Sequence, residues 1–168
     1  MHVTNIHHRD LPAPPTQIGA LLDTLASPQD GLWPRRLWPR MAFDRPLGVG
    51  ADGGHGPIRY FVEAYEAGRS IRFRFTGPRG FDGIHRFDVE PRDDGTTRLR
   101  HTIEMETRGR AVLTWPLLYE PMHDALIEDA FTTAEGSLGA PLVVRPWSWR
   151  VKVLRWVVSG GRSRRQQF

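Results

Sequence analysis

The sequence predicts an α+β fold in which a curved antiparallel sheet of six to seven strands wraps around one long C-terminal helix. Between Ala42 and Arg108 one β-like segment follows another with no helical stretch between them. A single amphipathic helix then runs from roughly Leu117 to Leu138. Because a sheet that closes over one helix can enclose a pocket instead of a solid core, we expect an internal cavity between the two.

The first part of the chain predicts a strand, a helix and a Trp-Pro segment. Residues 3–8 form a short predicted strand, in which Val3, Asn5 and His7 alternate with Thr4, Ile6 and His8, and a proline-rich stretch ends it. Thr16 can cap a helix that extends to about Ala26. A Leu-Trp-Pro unit then occurs twice, and its prolines forbid a long helix. We expect Trp33 and Trp38 to pack on the mouth or the end of the sheet.

Two hairpins can be registered from the sequence. In the second, a three-residue loop with Gly95 in the left-handed conformation suits a type I turn followed by a bulge. In the first, the turn lies at Ala67-Gly68. The apolar and charged patterns then predict these opposite pairs: on the inner face Val89 with Leu99, Phe87 with His101, Tyr60 with Phe75, Val62 with Phe73 and Ala64 with Ile71, and on the outer face Asp88 with Arg100, Glu90 with Arg98 and Glu63 with Arg72.

The long helix is predicted to turn its apolar residues toward the sheet on one half of its surface. His123 lies at the centre of this apolar half, where a solvated histidine is not expected. Pro121 marks either the first full turn of the helix or a kink in a longer one. The polar residues that lie outside the apolar half are Asp124, Glu128, Asp129, Thr132 and Glu135.

Three histidines, two on the sheet and one on the helix, are predicted to point into the same interior. An apolar cavity with a few polar groups is the usual construction of a small-molecule site. The simpler interpretation is that each histidine is a buried neutral imidazole bonded to a neighbour. The candidate ligand-binding residues are His85, His101, His123, Tyr60, Tyr119, Phe73 and Phe87.

Metal binding and nucleophilic catalysis have little support in the sequence. Three imidazoles can hold zinc, but no close spacing fixes these three, and His85 and His101 lie only diagonally across a strand pair. His7 and His8 point to opposite faces of one strand and cannot both serve one site. Cysteine is absent, and no serine or threonine has a convincing base. We expect no metal and no cofactor, and any chemistry would be acid-base catalysis by an imidazole or Tyr119.

Charge divides the chain into a domain over residues 1–140 and a tail over residues 141–168. The domain carries 16 of the 23 Lys and Arg and all 19 Asp and Glu, whereas the tail carries seven basic residues, three of the six tryptophans and no acid. Basic charge confined to a terminal segment does not indicate nucleic-acid binding. Three interpretations of the tail stay open: contact with an anionic membrane surface, contact with a second subunit in a homodimer, or packing on its own domain.

Two sequence signals with well-known meanings do not apply to this chain. It has neither the start of a signal peptide nor an apolar run of membrane-spanning length, so we expect a cytoplasmic location. Residues 48–53 match the G-x-G-x-x-G pattern of dinucleotide sites, but no helix follows to supply backbone amides for a phosphate. We expect this segment to form a loop beside the pocket entrance.

The order of these elements resembles that of the START-like (SRPBCC) superfamily, in particular its bacterial polyketide cyclase/dehydrase and lipid transport group. The resemblance covers residues 2–139 and is carried by the element order, Pro14-Pro15 before the first helix, Leu37-Trp38-Pro39 before the second strand, and the helical region from Gly109 to Leu138. It implies a helix-grip fold with an apolar cavity between the sheet and the last helix. Seven strands are usual in this family, so a further strand is expected within residues 42–56. No position of this chain matches a catalytic motif of the family.

Three functions follow from these expectations. The first is binding, and with it transport, of a small hydrophobic or amphipathic ligand such as a lipid or polyketide, which the resemblance implies. The second is a polyketide cyclase or aromatase type of enzyme that uses a cavity histidine as acid or base. The third is an interaction module that its basic tail recruits to a membrane or a partner.

Overall fold

A seven-stranded antiparallel sheet and one long helical run make up most of the molecule. The computed structural model describes residues 1–161, so residues 162–168 of the predicted tail lie outside the described residues. Within the described part the elements are β1 (His2–Leu11), α1 (Pro15–Asp23), β2 (Met41–Phe43), β3 (Asp52–His55), β4 (Ile58–Glu66), β5 (Ser70–Gly77), β6 (Phe81–Pro91), β7 (Thr97–Thr107), α2 (Ala111–Thr114), a π-helical turn (Trp115–Tyr119), α3 (Glu120–Ser137) and α4 (Trp149–Val158). The strands pair in the order β1-β7-β6-β5-β4-β3-β2. The predicted α+β class is confirmed, and the short strands β2 and β3 complete the sheet.

The predicted register of β6 and β7 is confirmed, but its outer ion pairs form differently. Each predicted pair lies opposite its partner across these strands. The side chains nevertheless bind other partners: Arg100 pairs with Glu90 at 3.0 Å, and Arg98 pairs with Asp10 of β1 at 2.8 Å. Arg98 reaches Asp10 because β1 lies on the other side of β7. The local turn therefore sets the register, while a third strand decides the ion pairing.

A β-bulge at Glu63 corrects part of the predicted register of β4 and β5. The inner pairs before the bulge are as predicted, but beyond it Tyr65, not Ala64, lies opposite Ile71. The Tyr65 hydroxyl then donates a 2.7 Å hydrogen bond to Asp23 at the end of α1. Glu63 still forms its predicted ion pair across the two strands, at 2.8 Å. The bulge thus allows a tyrosine to tie α1 to the sheet.

Residues 48–51 of the glycine-rich segment form a loop, as predicted, but the strand β3 begins at Asp52, so the loop is shorter than predicted. β3 runs so close to its neighbours that side chains do not fit: a Cβ on Gly53 would lie 2.0 Å from the Ala42 carbonyl oxygen, and a Cβ on Gly54 would lie 2.0 Å from the Ile58 carbonyl oxygen. Glycines in a strand often mark such a close backbone approach. These glycines therefore serve strand packing, not phosphate binding.

The helical region is longer than predicted and continues through Pro121. It begins at Ala111 instead of near Leu117. Just before Pro121 the backbone N–H of Glu120 bonds to the Trp115 carbonyl, which makes this turn a π-turn. Pro121 has no N–H to donate and lies in the first turn of α3, where proline is tolerated.

The first helix also differs slightly from its prediction. It begins at Pro15, with Pro14 in the cap position and no side-chain cap from Thr16. Proline suits this position because its fixed φ is already helical and its missing N–H has no partner in a first turn. None of the helices within residues 1–161 is long and apolar enough to cross a lipid bilayer.

The C-terminal segment covers part of the side of α3 that lies outside its apolar half. Asp129, Thr132 and Glu135, on that side, are buried. The indole N–H groups of Trp38 and Trp147 both donate to one carboxylate oxygen of Asp129, at 2.7 and 2.8 Å. A buried carboxylate needs such partners, because leaving it unpaired is costly. The outer side of α3 is therefore an interface with the chain's own C-terminal segment.

Candidate functional site

A cavity of about 440 Å³ lies between the sheet and the long helical run. Small-molecule sites have volumes of about 300–1,000 Å³, so this one is large enough for a ligand. It reaches the surface beside Arg35 and Arg36, both of which are exposed. Its walls are mostly apolar and aromatic, and they include Phe75, His85, His101 and Ile103 from the sheet and Trp115, Tyr119, Met122, His123 and Leu126 from the helical run.

His85 on β6 and His101 on β7 form the polar part of the sheet wall. Alternation along the strands turns both side chains inward, where they are 4% and 2% exposed. Nδ1 of His85 and Nε2 of His101 lie 3.4 Å apart, which is a long hydrogen bond. Burial lowers the pKa of both imidazoles well below their usual range, so both are neutral at physiological pH. The other ring nitrogen of each is buried without a partner among the described residues.

His123 and Tyr119 supply polar groups from the helical side of the cavity. The two residues are four positions apart and share one face of the helical run. The imidazole of His123 lies 5.0 Å from that of His101 between ring centroids, so histidines from both walls adjoin. Burial lowers the pKa of His123, although the Asp124 carboxylate, 3.4 Å from Nδ1, acts in the opposite direction.

His55, at the end of β3, is a cavity residue that the sequence analysis does not single out. Its Nδ1 lies 2.9 Å from the Tyr60 hydroxyl, and its ring packs on Trp33 at 4.8 Å between centroids. Burial lowers the pKa of His55 to about 3. The turn at Gly56-Pro57 could have indicated a hairpin here, but the glycine-rich surroundings conceal the strand that carries this histidine inward.

Tyr60, Phe73 and Phe87 lie behind the cavity wall, and all three are fully buried. Tyr60 packs edge-on against His85 at 4.6 Å between ring centroids, and Phe73 stacks on the same imidazole at 4.7 Å. Phe87 packs against His101 at 4.5 Å. The other four candidate residues line the cavity, while these three hold two of the imidazoles in place. Contact with a ligand stays a prediction for all seven.

The cavity mouth lies between the Leu-Trp-Pro segment and α4. Arg155 of α4 stands between the rings of Trp38 and Trp147, with its guanidinium carbon 4.1 Å from each centroid. It also donates a 2.5 Å hydrogen bond to the Leu37 carbonyl. Each cation–π contact of this kind contributes about 0.5–2 kcal/mol, depending on how far it is desolvated. Arg155 thereby fixes α4 to the mouth.

A network of ion pairs joins β1 to α3 beside the cavity. The two ring nitrogens of His7 lie 3.0 Å from Asp124 and 3.2 Å from Glu128. Burial lowers the pKa of His7, but the two carboxylates more than compensate and raise it to about 9. Arg9 pairs with Glu128 at 2.8 Å and also with Glu135. The inner face of β1 is polar because it meets this row of acids on α3.

His7, His123 and Asp124 each place one potential metal-ligand atom within 4.8 Å of the others. Two imidazoles and a carboxylate are groups that bind divalent cations. The two carboxylates that raise the pKa of His7 to about 9 favour its protonated form, and a protonated imidazole has no lone pair for a metal. Asp124 also accepts a 3.0 Å hydrogen bond from Asn5. Hydrogen bonds and ion pairs therefore account for this cluster without a metal.

Comparison with known proteins identifies the fold. The chain matches no protein-family model and has no significant match among curated proteins. Similar solved structures include a solution NMR structure from Thermobifida fusca, with 13% identity, a TM-score of 0.63, and 84% of this chain and 99% of that one covered. Truncated norcoclaurine synthase from Thalictrum flavum has 14% identity, a TM-score of 0.62 and coverage of 84% and 96%. The chain has the helix-grip fold.

A third helix-grip structure extends the comparison. CalU16 from Micromonospora echinospora has 14% identity and a TM-score of 0.56, with 90% of this chain and 80% of that one covered. Identities this low show the fold alone, and one fold hosts many functions. The function of this chain must therefore be argued from its own cavity.

Proposed function

We propose that the protein binds a small amphipathic molecule, such as a lipid or polyketide, in the cavity. The observation that carries the proposal is the cavity itself, whose walls are apolar and in which imidazoles from sheet and helix adjoin. An apolar ligand body gains about 25 cal/mol for each Å² that such walls remove from water. The same site would serve a protein that transports its ligand.

The polar groups define what such a ligand must offer. A neutral imidazole donates from one nitrogen and accepts at the other, so hydroxyl or carbonyl groups suit the region of His85 and His101. A ligand carboxylate beside these neutral rings would gain no charge pairing. Arg35 and Arg36 lie at the mouth and suit an acidic group there. We therefore expect an apolar molecule with oxygen groups at its inner end and an acidic group near the surface.

A fluorescent probe and one cavity-filling variant test this proposal. The probe is anilinonaphthalene sulfonate, an aromatic anion that binds apolar surfaces. Met122→Trp adds an indole inside the cavity, whereas the control Leu113→Trp adds one on α2 at a position that is 67% exposed. We expect Met122→Trp to weaken probe binding by about tenfold or more, a loss of about 1.4 kcal/mol, with no change in the control. Equal affinity in all three proteins would contradict the proposal, while native mass spectrometry of the purified chain would identify a retained ligand.

A second candidate function is acid-base catalysis in the cavity, of the polyketide cyclase or aromatase type. The observation in its favour is the bonded pair of neutral imidazoles, His85 and His101. In such a pair one outer nitrogen carries a proton and the other does not. The pair can therefore give one proton and accept another with no change in its net charge, as enolisation and dehydrative ring closure require. Norcoclaurine synthase, one of the similar structures, is by its name an enzyme.

Replacement of the imidazoles by amides tests catalysis separately from binding. His101→Gln keeps hydrogen-bonding groups but cannot take up a proton, so we expect turnover of an accepted substrate to fall by about 100-fold with little change in KM. His8→Gln, on the exposed face of β1, is the matched control. Unchanged turnover after replacement of all four cavity histidines, His55, His85, His101 and His123, would exclude this function.

A further inference from the structure

Helix α4 has two apolar faces, and within residues 1–161 one of them is packed on the domain while the other is largely exposed. Its inner face includes Val151, which is 4% exposed and belongs to the main hydrophobic core. Its outer face carries four large apolar residues whose exposed fractions run from 51% to 74%. We call this set the outer stripe: Trp149, Val153, Trp156 and Val157. Because both faces are apolar, the sequence alone does not distinguish a packed helix from a surface-binding one.

The outer stripe has the geometry of a helix that lies in a membrane interface. Its members occupy one side of α4, since residues four, seven and eight positions apart share a face. At 100° per residue, Arg150 flanks the stripe on one side and Lys152 on the other. Both cations are exposed, and neither makes an ion pair within residues 1–161. Tryptophans between flanking cations are typical of helices that bind anionic bilayers.

The charge distribution favours a lipid surface over a second copy of the chain. Residues 141–161 carry four basic side chains and no acid, whereas residues 1–140 carry 19 acidic and 16 Lys or Arg side chains. An anionic surface therefore attracts the α4 side of the molecule and not the remainder. Two copies packed stripe against stripe would instead bring the two flanking cations of each copy together, and such like-charge contacts are unfavourable.

We propose that the outer stripe docks the protein on an anionic lipid bilayer, with Arg150 and Lys152 at the level of the lipid phosphates. Three residues of or next to the same helix, Arg155, Val158 and Ser159, line the cavity mouth. A docked molecule thus holds its mouth beside the bilayer surface, where amphipathic molecules concentrate. Uptake of a ligand from that surface rests on the proposed function, whereas docking itself does not.

Vesicle sedimentation of the full chain tests the docking. The vesicles are phosphatidylcholine alone, and phosphatidylcholine mixed with an equal part of phosphatidylglycerol. We expect binding to the mixed vesicles that falls as salt is raised. Trp149→Ser combined with Trp156→Ser should lower the partition coefficient by more than about tenfold. Arg150→Gln combined with Lys152→Gln should lower it by about 30-fold on mixed vesicles only, since each basic residue contributes a factor of about five.

Matched controls replace similar residues elsewhere on the surface. Ile6→Ser removes a 52% exposed apolar residue from β1, and Arg108→Gln removes an exposed cation near the end of β7. Both should bind vesicles like the parent. Because the replaced stripe residues are exposed, the variants should fold, which circular dichroism and the urea midpoint check.

Three results would overturn the docking proposal. The first is no binding of the parent chain to the mixed vesicles, and the second is undiminished binding by the double tryptophan variant. The third is a dimer in analytical ultracentrifugation that the tryptophan replacements dissociate, without vesicle binding, since this would make a second copy the occupant. The proposal of ligand binding in the cavity is tested separately. If Met122→Trp leaves the affinity for the probe unchanged while the chain still binds vesicles, ligand binding is contradicted and docking is not.

Discussion

Asp129 holds the C-terminal segment on the domain, and its replacement by alanine is the sharpest test of that arrangement. The carboxylate is 1% exposed and accepts hydrogen bonds from two indoles that are distant in sequence, Trp38 before β2 and Trp147 before α4. Burial lowers the pKa of Arg155 at the mouth, and the Asp129 carboxylate opposes this shift. One side chain of α3 therefore joins three elements.

The expected loss of stability follows from the two indole hydrogen bonds that Asp129→Ala removes. A hydrogen bond to a charged group contributes about 1.5–3 kcal/mol, so the loss of two gives about 3–6 kcal/mol for Asp129→Ala. That is a large part of the roughly 5–15 kcal/mol by which domains of this kind are stable. Asp129→Asn keeps an acceptor oxygen at the same place, so its loss of stability should be about half that of Asp129→Ala or less. Trp147→Phe removes one of the two bonds and should be intermediate.

Urea unfolding of the full chain, followed by tryptophan fluorescence, measures these losses. Hydrogen exchange of residues 149–158 should rise in Asp129→Ala, because α4 loses its anchor. Asp93→Ala, in the exposed turn between β6 and β7, is the control and should change stability by less than about 0.5 kcal/mol. A double-mutant cycle between Asp129 and Trp147 should give a coupling of about 1.5–3 kcal/mol. If Asp129→Ala lowers the free energy of unfolding by less than about 1 kcal/mol, or leaves hydrogen exchange in α4 unchanged, Asp129 does not anchor the C-terminal segment.

Two further predictions concern pH and strand packing. His85 and His101 are neutral in the folded protein and take up protons in the unfolded chain. A fall in pH from 6.5 to 5.5 should therefore lower the free energy of unfolding by about 1 kcal/mol for each of them. His7 acts in the opposite sense, because its contribution is complete below pH 6.5 and is lost as pH rises through about 9. Urea unfolding across this range checks both, and a profile without acid destabilisation contradicts the buried neutral pair. Gly53→Ala should lower the free energy of unfolding by about 1–3 kcal/mol, because its Cβ would collide with β2 at the sheet edge. Gly48→Ala is the control and should be neutral, because its Cβ would meet only one atom, at 3.8 Å. Equal stability of the two variants would show that β3 is not closely packed.

The confirmed predictions rest on interactions between residues that are close in sequence. The β6–β7 register follows from the turn at Gly95, whose φ of 80° is the conformation that the loop requires. Alternation along the strands places His85 and His101 inward, because successive side chains of a strand point to opposite faces. Helical periodicity places His123 and Tyr119 toward the sheet for the same geometric reason. Four residues that line the cavity were thus within reach of the sequence.

Only the tertiary structure decided which polar groups meet, because these contacts join residues that are far apart in the chain. Asp129 follows the polar pattern of an exposed helix face, and it is buried because the C-terminal segment returns across α3. His55 enters the cavity because β3 is held between β2 and β4 by close glycine contacts that no periodicity reveals. The sequence by itself determined the strands, the long helix and three inward histidines, since turn chemistry and periodicity are local. The mouth at α4 and its exposed outer stripe depend on where the chain's last helix comes to rest, and that position is set by packing and buried hydrogen bonds across the whole fold.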